Sequence, residues 1–105
     1  MDAIRALRAF VRVVECGSFT QAADALGVSR SVVTKHVQWL ESLLKATLLT
    51  RTTHSVAITP NGAVCYRRAL RLLAALDALG AGMVHAHDEP ATPVTQGATE
   101  AISGI

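Results

Sequence analysis

Aromatic residues are scarce in this chain of 105 residues, of which they make up 4%. Stacking the bases of single-stranded nucleic acid needs several aromatic side chains, so the sequence disfavours that class of protein. No apolar run reaches the roughly 18 uncharged residues of a membrane-spanning helix, and no secretory signal opens the chain. Cys16 and Cys65 form no CxxC pair, so disulfides are not expected. These absences predict a protein of the reducing cytoplasm, without a membrane partner.

No lysine or arginine follows Arg71. All 10 Lys and Arg residues lie at or before that position, whereas the 8 acidic residues are divided equally between the two parts. The formal net charge of +2 therefore hides a basic body and an acidic C-terminal segment. A basic body suits contact with phosphates, and the alternative is an ordinary solvated surface.

Catalytic and metal-binding patterns are missing as well. The chain has no paired carboxylates, no nucleophile beside a base and no glycine-rich phosphate loop, so no enzyme activity is predicted. His85 and His87 have no further ligands at a spacing typical of a metal site. No metal or other cofactor is expected.

The segment from Ser18 to Leu44 predicts two helices joined by a tight turn. Ser18 and Gln21 fit a capping box, Gly27 suits a left-handed helix end, and Ser29 can cap a second helix running to about Lys45. The apolar positions of this second helix recur at helical spacing and predict one buried face. They are Val33, Val37, Leu40 and Leu44. The pattern is typical of a helix-turn-helix.

The opposite face of that second helix is polar and basic. In helix-turn-helix proteins the first turns of this helix lie against base edges in the major groove. Arginine pairs with the O6/N7 edge of guanine, lysine binds guanine or phosphate, and Ser, Thr or Gln serve base or backbone. The candidate DNA contacts are Ser29, Arg30, Ser31, Thr34, Lys35 and Gln38. Double-stranded DNA is the predicted partner.

A helix from Asp2 to about Cys16 precedes this motif, and a small hairpin follows it. In the first helix, Arg5, Arg8 and Arg12 share one face, which is either solvated or available to phosphate or an interface. The β-prone runs 48–51 and 55–59 predict a wing. A wing can lie along the minor groove or the DNA backbone, the alternative being a plain surface turn. Its candidate contacts are Arg51, Thr52, Thr53 and His54.

Thr59 and Pro60 predict the start of a long helix, with the threonine as cap and the proline in the first turn. Its apolar face is wider than one small domain needs, which predicts pairing with a helix of a second protomer. The candidate dimer residues are Cys65, Tyr66, Ala69, Leu72, Leu73, Leu76 and Leu79. We therefore expect a DNA-binding domain over 1–59, a dimerisation helix over 60–84 and a disordered acidic tail over 85–105.

From Asp2 to about Leu79 the chain resembles the N-terminal DNA-binding domain of LysR-type transcriptional regulators. The resemblance is carried by ordered motifs at residues 4–11, 17–23, 26–37, 40–41, 48–53 and 59–62. It implies a mainly α fold: a winged helix-turn-helix with a small two-stranded wing and a long C-terminal dimerisation helix. It also implies a homodimeric bacterial regulator that binds promoter DNA.

Residue by residue, the resemblance assigns Ser29, Arg30, Ser31, Thr34 and Lys35 to the recognition helix and Arg51 to the start of the wing. The chain departs from the family pattern at three places. Arg30-Ser31 replaces the commoner Gln-Pro, His54 stands where a basic residue is frequent, and Trp39 stands where polar residues are usual.

The family's C-terminal effector-binding domain, made of two α/β lobes, has no counterpart in the sequence. No small-molecule effector is therefore expected, and the chain is either an isolated DNA-binding domain or a naturally short regulator. The leading hypothesis is a sequence-specific DNA-binding regulator that acts as a homodimer. The alternative is a protein-interaction module that forms mixed dimers with a full-length LysR-type relative and so modulates it.

Overall fold

A computed structural model describes residues 2–52 and 55–81. Four helices and two strands follow one another along the chain. They are α1 (Ala3–Cys16), α2 (Phe19–Leu26), α3 (Arg30–Leu44), β1 (Leu49–Arg51), β2 (Val56–Ile58) and α4 (Pro60–Gly80). The predicted mainly α, winged helix-turn-helix fold is confirmed. Thr53, His54 and the expected tail at 85–105 lie outside the described residues.

Side-chain caps begin the helices where the sequence predicts them. The Ser18 hydroxyl accepts from the Gln21 amide at 3.1 Å, and the Ser29 hydroxyl accepts from the Val32 amide at 3.2 Å. Gly27 ends α2 with a left-handed φ of 70°. Because each cap satisfies a backbone group that the helix leaves unpaired, these local sequence signals fix the starts of α2 and α3.

The core lies between α1, α2 and α3, and residues 48–49 and the middle of α4 add to it. Phe10, Val13, Val33 and Leu48 are its largest fully buried side chains. The predicted buried face of α3 is correct at Val33, Val37 and Leu40 but wrong at Leu44, whose side chain is 47% exposed. The last turn of α3 borders a solvent-open groove of about 490 Å³ between α1 and α4, so the described part of the chain leaves about half of Leu44 uncovered.

The wing is an antiparallel pair in which Leu49 lies opposite Ile58 and Arg51 lies opposite Val56. Its turn is closed by the Thr52 amide, which donates to the Ser55 carbonyl at 2.8 Å. The predicted hairpin is therefore confirmed.

Helix α4 packs back against α1. Thr59 caps it by accepting from the Gly62 amide at 2.9 Å, and Pro60 lies in its first turn, as the sequence predicts. Farther along, Asp77 and Arg8 form an ion pair at 3.6 Å. Among the described residues, no helix combines the length and the apolar character that crossing a membrane requires.

Candidate nucleic-acid interface

The N-terminal turns of α3 present an open polar surface. Arg30, Ser31, Lys35 and Gln38 are exposed, as is the capping Ser29, while Thr34 is half-buried. Neither Arg30 nor Lys35 forms an ion pair with another described residue. Since the core side chains of α3 occupy the opposite side of the helix, this surface is open to solvent in the part of the chain that the structure describes. We call the six predicted residues the recognition face: Ser29, Arg30, Ser31, Thr34, Lys35 and Gln38.

Arg51 joins the wing to the recognition face. Its guanidinium carbon lies 4.0 Å from the centroid of the Phe19 ring, an attractive cation–π geometry. Its Nη2 donates to Thr34 Oγ1 at 3.5 Å, a long hydrogen bond. Arg51, Thr34 and Gln38 also line one cleft of about 300 Å³. Two residues that the sequence assigns to different parts of the site are thus brought into contact.

Arg51 also lines a second, smaller cleft of about 170 Å³. It is bordered by Arg30 and Arg51 and by the beginning of α2, with the hydroxyls of Ser18, Thr20, Thr52 and Ser55. Two guanidinium groups beside a helix N-terminus give this surface a positive potential suited to an anion. Thr53 and His54, also predicted as wing contacts, are outside the described residues.

Glu41 is a positioning residue that the sequence reasoning did not assign. Its Oε2 accepts hydrogen bonds from the backbone amides of Leu48 at 2.8 Å and Leu49 at 3.3 Å. The carboxylate therefore ties the beginning of β1 to the recognition helix. Its signal in the sequence is an acidic residue directly after the last buried leucine of α3, Leu40, but the spacing alone does not name the amides it accepts from.

The predicted dimer residues divide into two groups. Ala69 and Leu73 are buried in the core of the protomer itself, and Cys65 and Tyr66 are half-buried against that core. The exposed members are Leu72, Leu76 and Leu79. Helix α4 uses its central stripe to pack on α1, so the surface open to a second protomer is narrower than the apolar pattern suggests.

The two half-buried members of this set, Cys65 and Tyr66, have raised pKa values. The Tyr66 hydroxyl donates to Glu15 Oε2 at 3.3 Å. Partial desolvation and the negative charge of Glu15 raise the pKa of Tyr66 above its ordinary value. Burial raises the pKa of the Cys65 thiol. Both shifts favour the neutral side chains, as expected for residues that pack against an apolar core.

Comparison with known proteins identifies the family. Residues 4–63 match the model of the bacterial regulatory helix-turn-helix proteins of the lysR family. The chain belongs to the lysR family. The match runs from α1 through the recognition face and the wing to the first turn of α4, which are the elements that build the site.

Relatives within the lysR family share this segment as part of much longer chains. The transcriptional regulator CrgA of Neisseria meningitidis is 42% identical over 84 residues, which are 80% of this chain and 28% of CrgA. The transcriptional activator TtdR of Escherichia coli is 45% identical over 67 residues, which are 64% of this chain and 22% of TtdR. The chain thus spans about a quarter of the length of these relatives.

Solved structures of lysR-family DNA-binding domains have the same fold. The BenM DNA-binding domain in complex with catB site 1 DNA is 40% identical, with a TM-score of 0.70. That match covers 75% of this chain and 87% of the BenM domain. The CbnR DNA-binding domain in its DNA complex is 32% identical with a TM-score of 0.73, covering 76% of this chain and 91% of the domain.

Proposed function

We propose that this chain is a sequence-specific, double-stranded DNA-binding transcriptional regulator that acts as a homodimer. The observation that carries the proposal is the recognition face, which exposes Arg30 and Lys35 without ion-pair partners among the described residues. Unpaired basic side chains at the start of a recognition helix are the groups that bind phosphates and guanine edges. The BenM and CbnR domains, which share the fold, are in complex with DNA.

In this proposal the recognition face enters the major groove. Arg30 and Lys35 supply the donors for guanine or phosphate, and the hydroxyl and amide groups of the face supply shorter-range contacts. The wing then follows the neighbouring backbone or minor groove through Arg51, Thr52, Thr53 and His54. A reduced cytoplasm, where bacterial DNA lies, is the corresponding location, and Cys16 and Cys65 are both free thiols.

Dimerisation is proposed through α4. Its 21 residues span about 32 Å at 1.5 Å per residue, long enough to lie along a second α4. The exposed Leu72 also lines the groove between α1, α3 and α4, together with Leu7 and Leu44, and Leu76 and Leu79 continue the apolar surface. Two recognition helices about 34 Å apart would reach successive major grooves on one side of a palindromic site.

Selection of bound duplexes from a random pool by the purified chain tests DNA recognition. We expect enrichment of a motif, and we expect Arg30→Ala to weaken binding to it by about 5- to 150-fold while relaxing preference at one base pair. Arg67→Ala is the control, because Arg67 is exposed on α4 and belongs to neither the predicted DNA contacts nor the predicted dimer residues. Absence of any enriched motif would contradict the proposal, and equal losses on selected and random DNA would contradict direct readout by Arg30.

The mass in solution tests the dimer. Leu76→Asp places a charge on the exposed apolar surface of α4 and should give monomers in analytical ultracentrifugation. Ala74→Asp adds the same charge at an exposed position on another side of the helix and should leave the dimer intact. A wild-type monomer, or an unchanged mass for Leu76→Asp, would remove the homodimer from the proposal.

The same leucines could pair with a longer LysR-type relative, so a monomer that binds such a relative would support the mixed-dimer alternative.

A further inference from the structure

Three elements meet beside the recognition face through one side chain from each. Phe19 comes from the beginning of α2, Thr34 from α3 and Arg51 from β1. The guanidinium of Arg51 stacks on the Phe19 ring at 4.0 Å and donates to the Thr34 hydroxyl at 3.5 Å. The arginine expected to hold the DNA backbone is therefore bonded to a residue expected to read bases.

Arg51 is held in this position from several directions. The Phe19 ring beneath it is only 4% exposed, so the surface on which the guanidinium lies is rigid. The backbone of Arg51 is paired with that of Val56, and the Glu41 carboxylate anchors the beginning of the same strand. A planar guanidinium stacked on a ring keeps little orientational freedom, so its N–H is aimed at Thr34 before any ligand arrives.

The bond to Arg51 decides how the Thr34 hydroxyl can act. A hydroxyl has one hydrogen to donate and two lone pairs, whereas a guanidinium can only donate. When Thr34 Oγ1 accepts from Arg51, its own hydrogen remains available to an acceptor outside the protein. Within residues 2–52 and 55–81, the Thr34 hydroxyl makes no other hydrogen bond.

Base edges differ in what they offer to such a donor. In the major groove, guanine presents N7 and O6, adenine presents N7 and thymine presents O4 as acceptors, whereas cytosine presents a donor. A hydroxyl that already accepts from a cation is polarised into a stronger donor and a weaker acceptor. The Thr34 hydroxyl therefore favours an acceptor over the cytosine donor at the base that it meets.

We infer that Arg51 is a positioning residue for base recognition, which orients the Thr34 hydroxyl as a donor toward an acceptor on a base edge. The inference rests on the proposed DNA-binding function. Orienting Thr34 makes a different demand on the Arg51 side chain from contacting a phosphate of the DNA backbone. A phosphate contact depends mainly on positive charge, whereas orienting Thr34 depends on a flat, stacked group with a directed N–H.

The test compares two conservative variants and their combination on the motif selected by the wild-type chain. Arg51→Lys keeps the charge but removes the planar fork, and Thr34→Val keeps the shape but removes the hydroxyl. Each should weaken binding to the selected duplex by about tenfold and abolish discrimination at the same base pair. The double variant should lose no more than either single variant, because both remove one coupled contact. Arg67→Lys, at an exposed position of α4 that belongs to neither the DNA contacts nor the dimer residues, should leave affinity and preference unchanged.

Two further measurements distinguish a loss of Thr34 orientation from a loss of folding. Thr34→Ser keeps the hydroxyl and should retain the preference at that base pair, and melting followed by circular dichroism should show that every variant remains folded. Additive losses in the double variant would overturn the inference. It would also be overturned if Arg51→Lys weakened all duplexes alike with preference intact, or if Thr34→Ser lost the preference. Failure of the wild-type chain to select a motif would overturn the proposed function and the inference together, whereas the other outcomes overturn the inference alone.

Discussion

Gly62 lies in the first turn of α4, directly against the backbone of Leu48. A Cβ atom at position 62 would overlap the Leu48 carbonyl oxygen and approach Ile58 Cγ1 to 2.8 Å. The same carbonyl already accepts from the Thr59 amide at 3.0 Å and from the Thr59 hydroxyl at 3.1 Å. Glycine is therefore required by the close approach of two backbone segments, since neither backbone can move without breaking these bonds.

Gly62→Ala should lower the free energy of unfolding by about 3 kcal/mol, because relieving the overlap means separating α4 from Leu48, the residue that leads into β1. Gly80→Ala is the matched control, since a Cβ there would meet no atom of the described residues within 4 Å. Better helix propensity should leave its stability unchanged or raise it by up to about 1 kcal/mol. Urea unfolding followed by circular dichroism, at equal protein concentration, gives both values. Equal stabilities for the two variants would show that the contact at Leu48 costs little.

The Cys65 thiol offers a chemical readout of burial. Because burial raises the pKa of Cys65, a smaller fraction is thiolate at a given pH, and the thiolate is the reactive form. In a Cys16→Ser background, Cys65 should react with a disulfide reagent at pH 8 about tenfold more slowly in the folded chain than in urea. Stopped-flow absorbance measures both rates. Free cysteine, which has no fold, corrects for the effect of urea on the reagent, and equal corrected rates would contradict this placement of Cys65.

Helix α4 depends on one threonine, Thr59, both for its N-terminal cap and for its attachment to residues 47–48, which precede β1. The Thr59 hydroxyl accepts from the Gly62 amide and donates toward the Thr47 and Leu48 carbonyls. Thr59→Ala should therefore cost about 2 kcal/mol of unfolding free energy. Ser18→Ala removes a cap that accepts from Gln21 alone and should cost about 1 kcal/mol. Thr59→Ser keeps the hydroxyl, and a loss as large as that of Thr59→Ala would point to the methyl group instead.

The wing is attached to α3 through the Glu41 carboxylate. Glu41→Ala leaves the Leu48 and Leu49 amides without their acceptor, so their hydrogen exchange should speed up by about tenfold, whereas amides in the middle of α3 should change less. Asp24→Ala is the control, because Asp24 is exposed and forms no ion pair with a described residue. Amide hydrogen exchange measured by NMR distinguishes a local loss of protection at Leu48 and Leu49 from a general one. Uniform acceleration throughout the molecule would indicate global destabilisation rather than a local attachment of the wing by Glu41.

For the molecule as a whole, the charge distribution and the proposed dimer make one joint prediction. Each phosphate contact contributes about −0.9 to the slope of log K against log salt concentration, so removing Lys35 from both protomers should reduce the slope by about two. Lys35→Gln is compared with Lys45→Gln, which changes an exposed residue at the opposite end of α3. Fluorescence anisotropy with a duplex at several salt concentrations gives the slopes. A reduction of about one would indicate a single protomer on DNA, and equal effects of the two variants would remove the assigned role of Lys35.

Features that depend on neighbours along the chain were determined by the sequence itself. Ser18, Ser29 and Thr59 are caps, and Val33, Val37 and Leu40 form a buried stripe, because a cap and a helical period both involve residues within a few positions of one another. The same local rules located the wing and predicted the residues of the recognition face. The family resemblance added the way these elements combine into one domain.

Features that join distant residues were decided only by the tertiary structure. Arg51 meets Thr34 across 17 residues of chain, and Glu41 accepts from amides 7 and 8 residues away across a change from helix to strand. Leu44 is exposed although it continues an apolar period, while Ala69 and Leu73 are used by the protomer's own core. Periodicity in the sequence shows which side of a helix is apolar. Which of those apolar side chains are buried depends on the length and position of the neighbouring helices, and these are determined only when the helices pack.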